Sequence, residues 1–191
     1  HPKTPVLGER ISVLSGESDI SVDPDTAAMP FSVPTAEVNE EWAQSGGNPA
    51  HSMSHVALPA SLGTAWTVSI GAGSAHKGRL ISAPIVAAGR IYTIDTSGTV
   101  RAFDQRNGGA VWSASFGTPG KDGKNSNYGG GVAYDNGKIY ACNGLGYVAA
   151  LDAATGAATL TVQPGSSLPG APTVSAGGAY GVGRDDHMSP P

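Results

Sequence analysis

Cysteine is nearly absent from this 191-residue sequence, which contains only Cys142. A single cysteine cannot form an intrachain disulfide, and it cannot build a zinc site that uses several cysteine ligands. Long apolar runs are missing as well, so no stretch of about 18 or more apolar residues could span a bilayer as a helix. The sequence therefore predicts a soluble chain whose fold depends on packing.

Charge is scarce and slightly negative in balance. Charged residues make up 14% of the chain, with eleven Lys and Arg against fifteen Asp and Glu and a net charge of −4. This balance argues against a nucleic-acid partner bound mainly through phosphate contacts. Residues 1–41 hold eight of the acids and two of the bases, so an acidic segment precedes a nearly neutral body.

The acidic segment, residues 1–41, is predicted to be an extended N-terminal arm. It is rich in proline, which fixes the backbone φ and removes a hydrogen-bond donor, so a long helix is excluded there. The remaining residues, 42–191, are predicted to form the folded body. The prolines of the arm are Pro2, Pro5, Pro24, Pro30 and Pro34.

The predicted folded body, residues 42–191, contains an internal repeat. The heptapeptide that begins at Gly89 (Gly-Arg-Ile-Tyr-Thr-Ile-Asp) aligns without a gap with the one that begins at Gly137 (Gly-Lys-Ile-Tyr-Ala-Cys-Asn), an offset of 48 residues. The same offset relates Asp104 to Asp152 and Gly108 to Gly156. A third copy begins at Gly170 and fades soon afterwards. A fixed period of about 40 to 50 residues is typical of repeat architectures.

Each repeat contains four short apolar runs separated by turn residues, the pattern of antiparallel hairpins. Four strands in a repeat of this length predict the blade of a β-propeller, so the chain is predicted to be all-β and to hold about two and a half blades. The predicted blades lie near 82–128, 130–168 and 170–191, the last one incomplete. The predicted strands lie near 83–87, 90–95, 99–104 and 110–115, and then near 131–135, 138–143, 147–152 and 158–162.

A motif at the end of the third strand points to a family. The segment from Ala102 to Trp112 reads Ala-Phe-Asp-Gln-Arg-Asn-Gly-Gly-Ala-Val-Trp, and it resembles the tryptophan-docking motif of quinoprotein-type, or PQQ-like, propeller repeats. In such a motif Asp104 caps the turn, Gly108 supplies a positive φ, and Trp112 stacks on the next blade. The second copy has Asp152 and Gly156 but replaces the tryptophan with a leucine.

Three further segments, at 4–14, 41–53 and 128–134, resemble the BamB family of the outer-membrane β-barrel assembly machinery. The resemblance implies a non-catalytic scaffold without a cofactor that aids the insertion of outer-membrane proteins. Its implied partners are the barrel-assembly subunit and extended outer-membrane protein clients. It also implies a lipoprotein on the periplasmic face of the outer membrane, anchored through a lipid upstream of His1. Since family members close an eight-bladed ring, we expect this chain to be an N-terminal fragment of a longer protein.

A quinoprotein dehydrogenase fragment is the alternative. Such an enzyme would need pyrroloquinoline quinone and a carboxylate-bound Ca²⁺. Adjacent cysteines, a frequent feature of that class near the cofactor, cannot exist when Cys142 is alone. A fragment without function is a further alternative.

Other patterns favour ordinary structural explanations. The run Gly144-Leu-Gly-Tyr-Val-Ala149 imitates a dinucleotide fingerprint, but the repeat places it at a hairpin turn rather than before a helix. His51 and His55 have the spacing of a metal pair on a helix, yet Pro49 and serines surround them. Cys142 is expected to be a buried, inert thiol. No catalytic, cofactor-binding or metal-binding residue is predicted.

Partner contacts are predicted on a loop and on the rim of the blades. The loop 117–130 is the longest connection between the two full blades, and loops carry function more often than strands. Propeller rims can capture extended segments by edge addition. The candidate partner-binding residues are Arg90, Arg101, Arg106, Lys121, Lys124 and Tyr128.

Overall fold

The computed structural model describes residues 21–75, 78–117, 130–164, 168 and 170–182. The chain divides into two compact units, His1–Val33 and Pro34–Pro191. In the first unit a single helical turn, α1 (Pro24–Ala27), follows Asp23, whose carboxylate accepts hydrogen bonds from the Asp25 backbone N and the Thr26 hydroxyl. The proline stands in the first turn, where it costs no hydrogen bond. No helix among the described residues is long and apolar enough to cross a membrane.

The second unit is built from antiparallel sheets, which confirms the predicted all-β fold of partial PQQ-like propeller blades. Within the described ranges, two sheets have four strands each, in the order of the sequence, and a third has two strands. The first sheet contains β1 (Ile85–Ala87), β2 (Arg90–Ile94), β3 (Thr99–Asp104) and β4 (Ala110–Ser115). The second contains β5 (Gly130–Asp135), β6 (Lys138–Asn143), β7 (Val148–Asp152) and β8 (Ala158–Val162). The third contains β9 (Thr173–Ser175) and β10 (Gly178–Tyr180).

The sheets repeat in detail as well as in outline. In each full sheet the pairing of the third and fourth strands shifts register once, after Ala102 in the first and after Ala150 in the second. The first hairpin of every sheet turns through two residues with positive φ, the geometry that matches the twist of the flanking strands. These turn pairs are Ala88 and Gly89, Asn136 and Gly137, and Ala176 and Gly177.

The hydrophobic core lies between the first two sheets. One face of the first sheet, with Tyr92 at its centre, packs on the face of the second that carries Ile139 and Leu151, and all three side chains are fully buried. The Tyr92 hydroxyl donates a hydrogen bond to the Ala153 carbonyl at 3.2 Å. Inner strands are therefore buried on both faces, whereas every residue of the outer strand β8 is exposed.

A segment before the sheets ties them together. The Gln44 side chain, 1% exposed, exchanges two hydrogen bonds with the backbone of Val174 in β9, at 2.9 and 3.3 Å. Next to it, Trp42 pairs with Val86 of β1, and the Ala43 carbonyl accepts from the Tyr134 backbone N of β5. Because these bonds satisfy buried polar groups, they fix all three sheets to one segment.

Candidate functional site

Asp104 and Asp152 stand at the ends of the third strands and close the turns that follow. Asp104 accepts a hydrogen bond from the Arg106 backbone N at 2.8 Å and pairs with the Arg106 guanidinium at 2.8 Å. These contacts with Arg106 lower the pKa of Asp104 to about 2. Asp152 accepts from the hydroxyl and the backbone N of Thr155, both at 2.8 Å, and these bonds lower its pKa too.

Each of these turns ends in a glycine, and a tryptophan from outside that sheet packs directly on it. Gly156 has φ +76°, and a Cβ placed there would lie 2.6 Å from the Trp112 indole. The Trp112 Nε1 donates to the Ala153 carbonyl at 3.0 Å. A side chain at Gly156 would push the indole away, so this position requires glycine for both its φ and its space.

Trp66 docks on the first sheet in the same manner. A Cβ at Gly108, where φ is +72°, would lie 2.6 Å from the Trp66 indole, and the Trp66 Nε1 donates to the Gln105 carbonyl at 3.2 Å. Sequence reasoning missed Trp66, although a signal existed. Trp66-Thr-Val-Ser-Ile-Gly71 aligns with Trp112-Ser-Ala-Ser-Phe-Gly117 at an offset of 46 residues.

The second sheet departs from this pattern on its outer strand. Leu160 occupies the position of Trp112 and is 56% exposed. A leucine has neither the indole area nor the N–H donor that fix Trp112. The docking contact is thus seen twice among the described residues, at Gly108 and at Gly156.

At the opposite end of the first sheet, Asp95 and Arg101 form an internal ion pair at 2.5 Å. Burial alone would raise the pKa of Asp95, but hydrogen bonds from Ser97, Arg101 and the local backbone lower it below the ordinary value. Asn143, the equivalent of Asp95 in the second sheet, accepts from two backbone N–H groups and donates to the Phe116 carbonyl at 3.4 Å. Asn143 thus joins the residue after β4 to the second sheet, and Asp95 joins Ala72 to the first sheet by accepting from its backbone N at 3.2 Å.

The predicted partner-binding arginines have different surroundings. Arg90 donates to the carbonyls of Ala153 and Ala154, at 2.6 and 2.9 Å, and thus joins the two full sheets. Arg101 is held by Asp95, whereas the Arg106 side chain is 85% exposed beside Asp104. Lys121, Lys124 and Tyr128 lie outside the described residues. Of the three described arginines in this set, Arg106 is the most exposed to solvent.

The single cysteine and the two histidines with metal-pair spacing make contacts within the chain. Burial raises the pKa of Cys142 to about 11, so its thiol stays protonated near neutral pH, and its Sγ donates to the Gly170 carbonyl. His51 contacts the Thr173 hydroxyl, while His55 contacts the Pro34 carbonyl. The run 144–149 turns from β6 into β7. Across the described part of the chain, no three His, Cys, Asp or Glu residues form a metal-binding group.

Comparisons with known proteins support the PQQ-like propeller fold. Residues 96–190 match the family described as outer membrane protein assembly factor BamB. An uncharacterised protein of Rickettsia prowazekii (strain Madrid E) is 33% identical over 84 residues, which cover 44% of this chain and 19% of that protein. The chain therefore spans about a fifth of this curated relative.

Solved structures of two functional classes share the fold. BamB of Moraxella catarrhalis superposes with a TM-score of 0.50 at 21% identity, over 62% of this chain and 37% of that one. A quinohemoprotein alcohol dehydrogenase of Pseudomonas putida HK5 superposes with a TM-score of 0.60 at 25% identity, over 73% of this chain and 22% of that one. The fold is thus common to an assembly factor and to dehydrogenases, and fold by itself does not choose between them.

Proposed function

We propose that this chain belongs to a non-catalytic scaffold that docks on the barrel-assembly subunit of the outer-membrane insertion machinery. The observation that carries the proposal is the match of residues 96–190 to the BamB assembly-factor family. The resemblance of segments 4–14, 41–53 and 128–134 to that family supports it. The proposed site of action is the periplasmic face of the outer membrane.

The geometry suits a scaffold because its polar groups serve to hold the sheets together. Trp112 and Arg90 both donate to the Ala153 carbonyl, and Gln44 fastens the third sheet. A stiff body of this kind presents its turns at fixed positions. Extended outer-membrane protein segments would bind along exposed strand edges, where backbone hydrogen bonds supply affinity without a strict sequence requirement.

Arg106 provides the test of partner docking. The purified chain is immobilised, and binding of the purified barrel-assembly subunit is measured at low and at physiological salt. We expect Arg106→Ala to weaken binding several-fold, mostly through slower association, as is typical of a charge at the edge of an interface. Arg79→Ala, which removes an exposed cation elsewhere, is the matched control and is expected to bind as the parent does. Absence of binding of the parent chain at about 10 μM would reject the proposal.

A quinoprotein dehydrogenase is the second candidate, favoured by the TM-score of 0.60 to the Pseudomonas enzyme. Among the described residues, no three His, Cys, Asp or Glu side chains lie together in a group that could hold a metal ion. The discriminating experiment is equilibrium dialysis of the chain against pyrroloquinoline quinone with Ca²⁺. Stoichiometric retention of the quinone would favour the dehydrogenase, whereas retention no greater than that of an unrelated protein favours the scaffold.

A further inference from the structure

Residues 42–44, which we call the strap, bond to the first strands of three successive sheets. On the first sheet, Trp42 exchanges two backbone hydrogen bonds with Val86 of β1, at 2.7 and 2.9 Å. On the second sheet, the Ala43 carbonyl accepts a hydrogen bond from the Tyr134 backbone N of β5 at 2.7 Å. Each residue of the strap thus moves one sheet further along the repeat.

Gln44 continues the series on the third sheet. Its side-chain amide donates to the Val174 carbonyl of β9, and its side-chain oxygen accepts from the Val174 backbone N. The three contacted residues occupy the same position of the repeat, because Tyr134 follows Val86 by 48 residues and Val174 follows it by 88. The offset of 88 also relates the first hairpin turns of the first and third sheets. Three consecutive residues therefore contact three equivalent positions.

The strap lies on the free edges of these first strands. Within the described part of the chain, β1, β5 and β9 each have one strand partner in their own sheet, namely β2, β6 and β10. The bonds to the strap are made on the opposite edge. An open strand edge carries unpaired N–H and C=O groups and readily accepts another extended chain. The strap therefore occupies the path that an extended segment would take across the three sheets.

The contacts set a simple requirement for any chain on this path. The first two contacts use only backbone groups of Trp42 and Ala43, which every extended polypeptide can supply. The third contact uses a carboxamide, which offers one acceptor and one donor to the backbone of Val174. A segment with glutamine as its third contacting residue meets this requirement.

The strap is held by hydrogen bonds and by little apolar packing. Residues 34–41, which precede it, are all exposed, and Trp42 and Ala43 are only half-buried. None of the three strap residues belongs to the hydrophobic core between the first two sheets. After the strap, Gly46 and Gly47 have φ values of +80° and +91° and turn the chain back. A segment with these flanks can leave its site while the sheets stay folded.

We propose that the free edges at Val86, Tyr134 and Val174 form a binding site for an extended polypeptide segment, and that the strap is a resident ligand which this segment displaces. The incoming segment follows the path of residues 42–44, with backbone groups at its first two positions and a glutamine side chain at the third. In its resident position the strap keeps the three edges from pairing with other chains. The inference goes beyond the proposed function, since it needs neither Arg106 nor the barrel-assembly subunit.

Hydrogen exchange of the whole parent chain tests whether the strap leaves by itself. The backbone N–H groups of Val86, Tyr134 and Val174 all donate to the strap. We expect these three amides to share one protection factor, about 100-fold below that of the amides in the central strands β2, β3, β6 and β7. Protection equal to that of the central strands would refute the proposal, because the strap would then leave only when the sheets unfold.

A peptide with the sequence of residues 40–45 (Glu-Glu-Trp-Ala-Gln-Ser), labelled with a dye, tests whether the site takes a separate segment. Gln44→Ala removes both bonds of the strap to Val174, so this variant should bind the peptide at least about tenfold more tightly than the parent chain does, as measured by fluorescence anisotropy. Gln163→Ala removes a glutamine that donates to the Leu145 carbonyl, and it is the matched control that should bind as the parent does. Equal affinity of the two variants would count against displacement of the strap. If Gln44→Ala fails to fold, the exchange of the parent chain decides the question.

A competition experiment tests the kind of segment that binds. The unlabelled peptide Lys-Thr-Val-Thr-Gln-Thr keeps the glutamine and an extended preference but shares no other residue with the strap. We expect it to displace the labelled peptide from the Gln44→Ala chain, and the same peptide with alanine in place of glutamine to need at least about tenfold more. Failure of the glutamine peptide to compete would overturn the proposal, since the edges would then accept only the strap itself.

Discussion

Trp66 and Trp112, which lie 46 residues apart, make the same contact with successive sheets. Each indole covers a glycine of positive φ and donates its N–H to a carbonyl three residues before that glycine, at 3.2 Å for Trp66 and 3.0 Å for Trp112. The contact thus joins the segment around each tryptophan to the sheet that follows it in the sequence.

Gly156→Ala should destabilise the chain more than Gly137→Ala does. Both glycines have nearly the same φ, +76° and +77°, so the backbone strain of the two variants is similar. Only the Cβ at Gly156 would meet the Trp112 indole, at 2.6 Å, whereas a Cβ at Gly137 meets nothing within 4 Å. We expect the loss of unfolding free energy to be larger for Gly156→Ala by about 1–3 kcal/mol, measured by urea denaturation. Equal losses of unfolding free energy in the two variants would mean that the Trp112 indole does not pack against Gly156.

Trp66→Phe should cost more hydrogen-bonding free energy than Trp112→Phe. Phenylalanine keeps an aromatic ring but removes the indole N–H that donates to the Gln105 carbonyl at Trp66. At Trp112 the Ala153 carbonyl keeps the donors of Arg90 and Tyr92 when the indole N–H is lost. Trp66→Phe is expected to lower the unfolding free energy by about 1 kcal/mol, and Trp112→Phe by less. Leu160→Phe, on an exposed position of β8, is the control and should change stability by less than about 0.5 kcal/mol. Equal losses at Trp66 and Trp112 would contradict this account.

Thr93→Val should leave the isolated chain as stable as the parent or raise its unfolding free energy by up to about 1 kcal/mol. The hydroxyl is buried without a partner, so its replacement by a methyl group removes a desolvation cost at nearly constant volume. Thr99→Val is the contrasting variant, because the Thr99 hydroxyl contacts those of Ser97 and Ser115. Thermal unfolding of both variants distinguishes a buried hydroxyl without a partner, at Thr93, from a hydrogen-bonded one, at Thr99. A marked loss at Thr93 would indicate a partner for its hydroxyl in the free chain.

The carboxylate of Asp104 should titrate near pH 2, and Arg106→Ala should move its pKa up toward the ordinary value of 3.8. The hydrogen bond and charge of Arg106 hold the pKa down, so the stabilisation linked to the ionised form is present above pH 3.8 and is lost as the pH falls toward 2. Carbon-detected NMR of the side-chain carboxyl measures both midpoints. Arg79→Ala is the control and should leave the pKa of Asp104 unchanged. A pKa of Asp104 near 3.8 in the parent chain would contradict the pairing with Arg106.

The strands were predictable from the sequence because they depend on local patterns. The predicted runs 99–104, 110–115, 138–143 and 158–162 coincide with β3, β4, β6 and β8, and the other four differ by at most two residues at either end. Because the repeat has a fixed register, turn residues and alternating side chains occur at equivalent positions in both copies. The strand assignment in one copy therefore supports the assignment in the other.

The contacts between sheets were not predictable in the same way. The sequence did not indicate that Arg90 donates to the Ala153 carbonyl or that Arg101 pairs with Asp95. Their role as partner candidates stays a prediction. The docking of Trp66 was not predicted, because the residues around it form no strand and so lack the strand-and-turn pattern that reveals the repeat.

The sequence by itself determined the repeat, the all-β fold and the positions of the turn glycines, since each depends on residues close together in the chain. Only the tertiary structure decided that Gln44 bonds to Val174, 130 residues away, that Trp66 copies the contact of Trp112, and that Thr93 faces an open groove. These features depend on how one sheet stacks on the next. Stacking is set by the burial of apolar area and the pairing of buried polar groups across the whole unit, which no local pattern specifies.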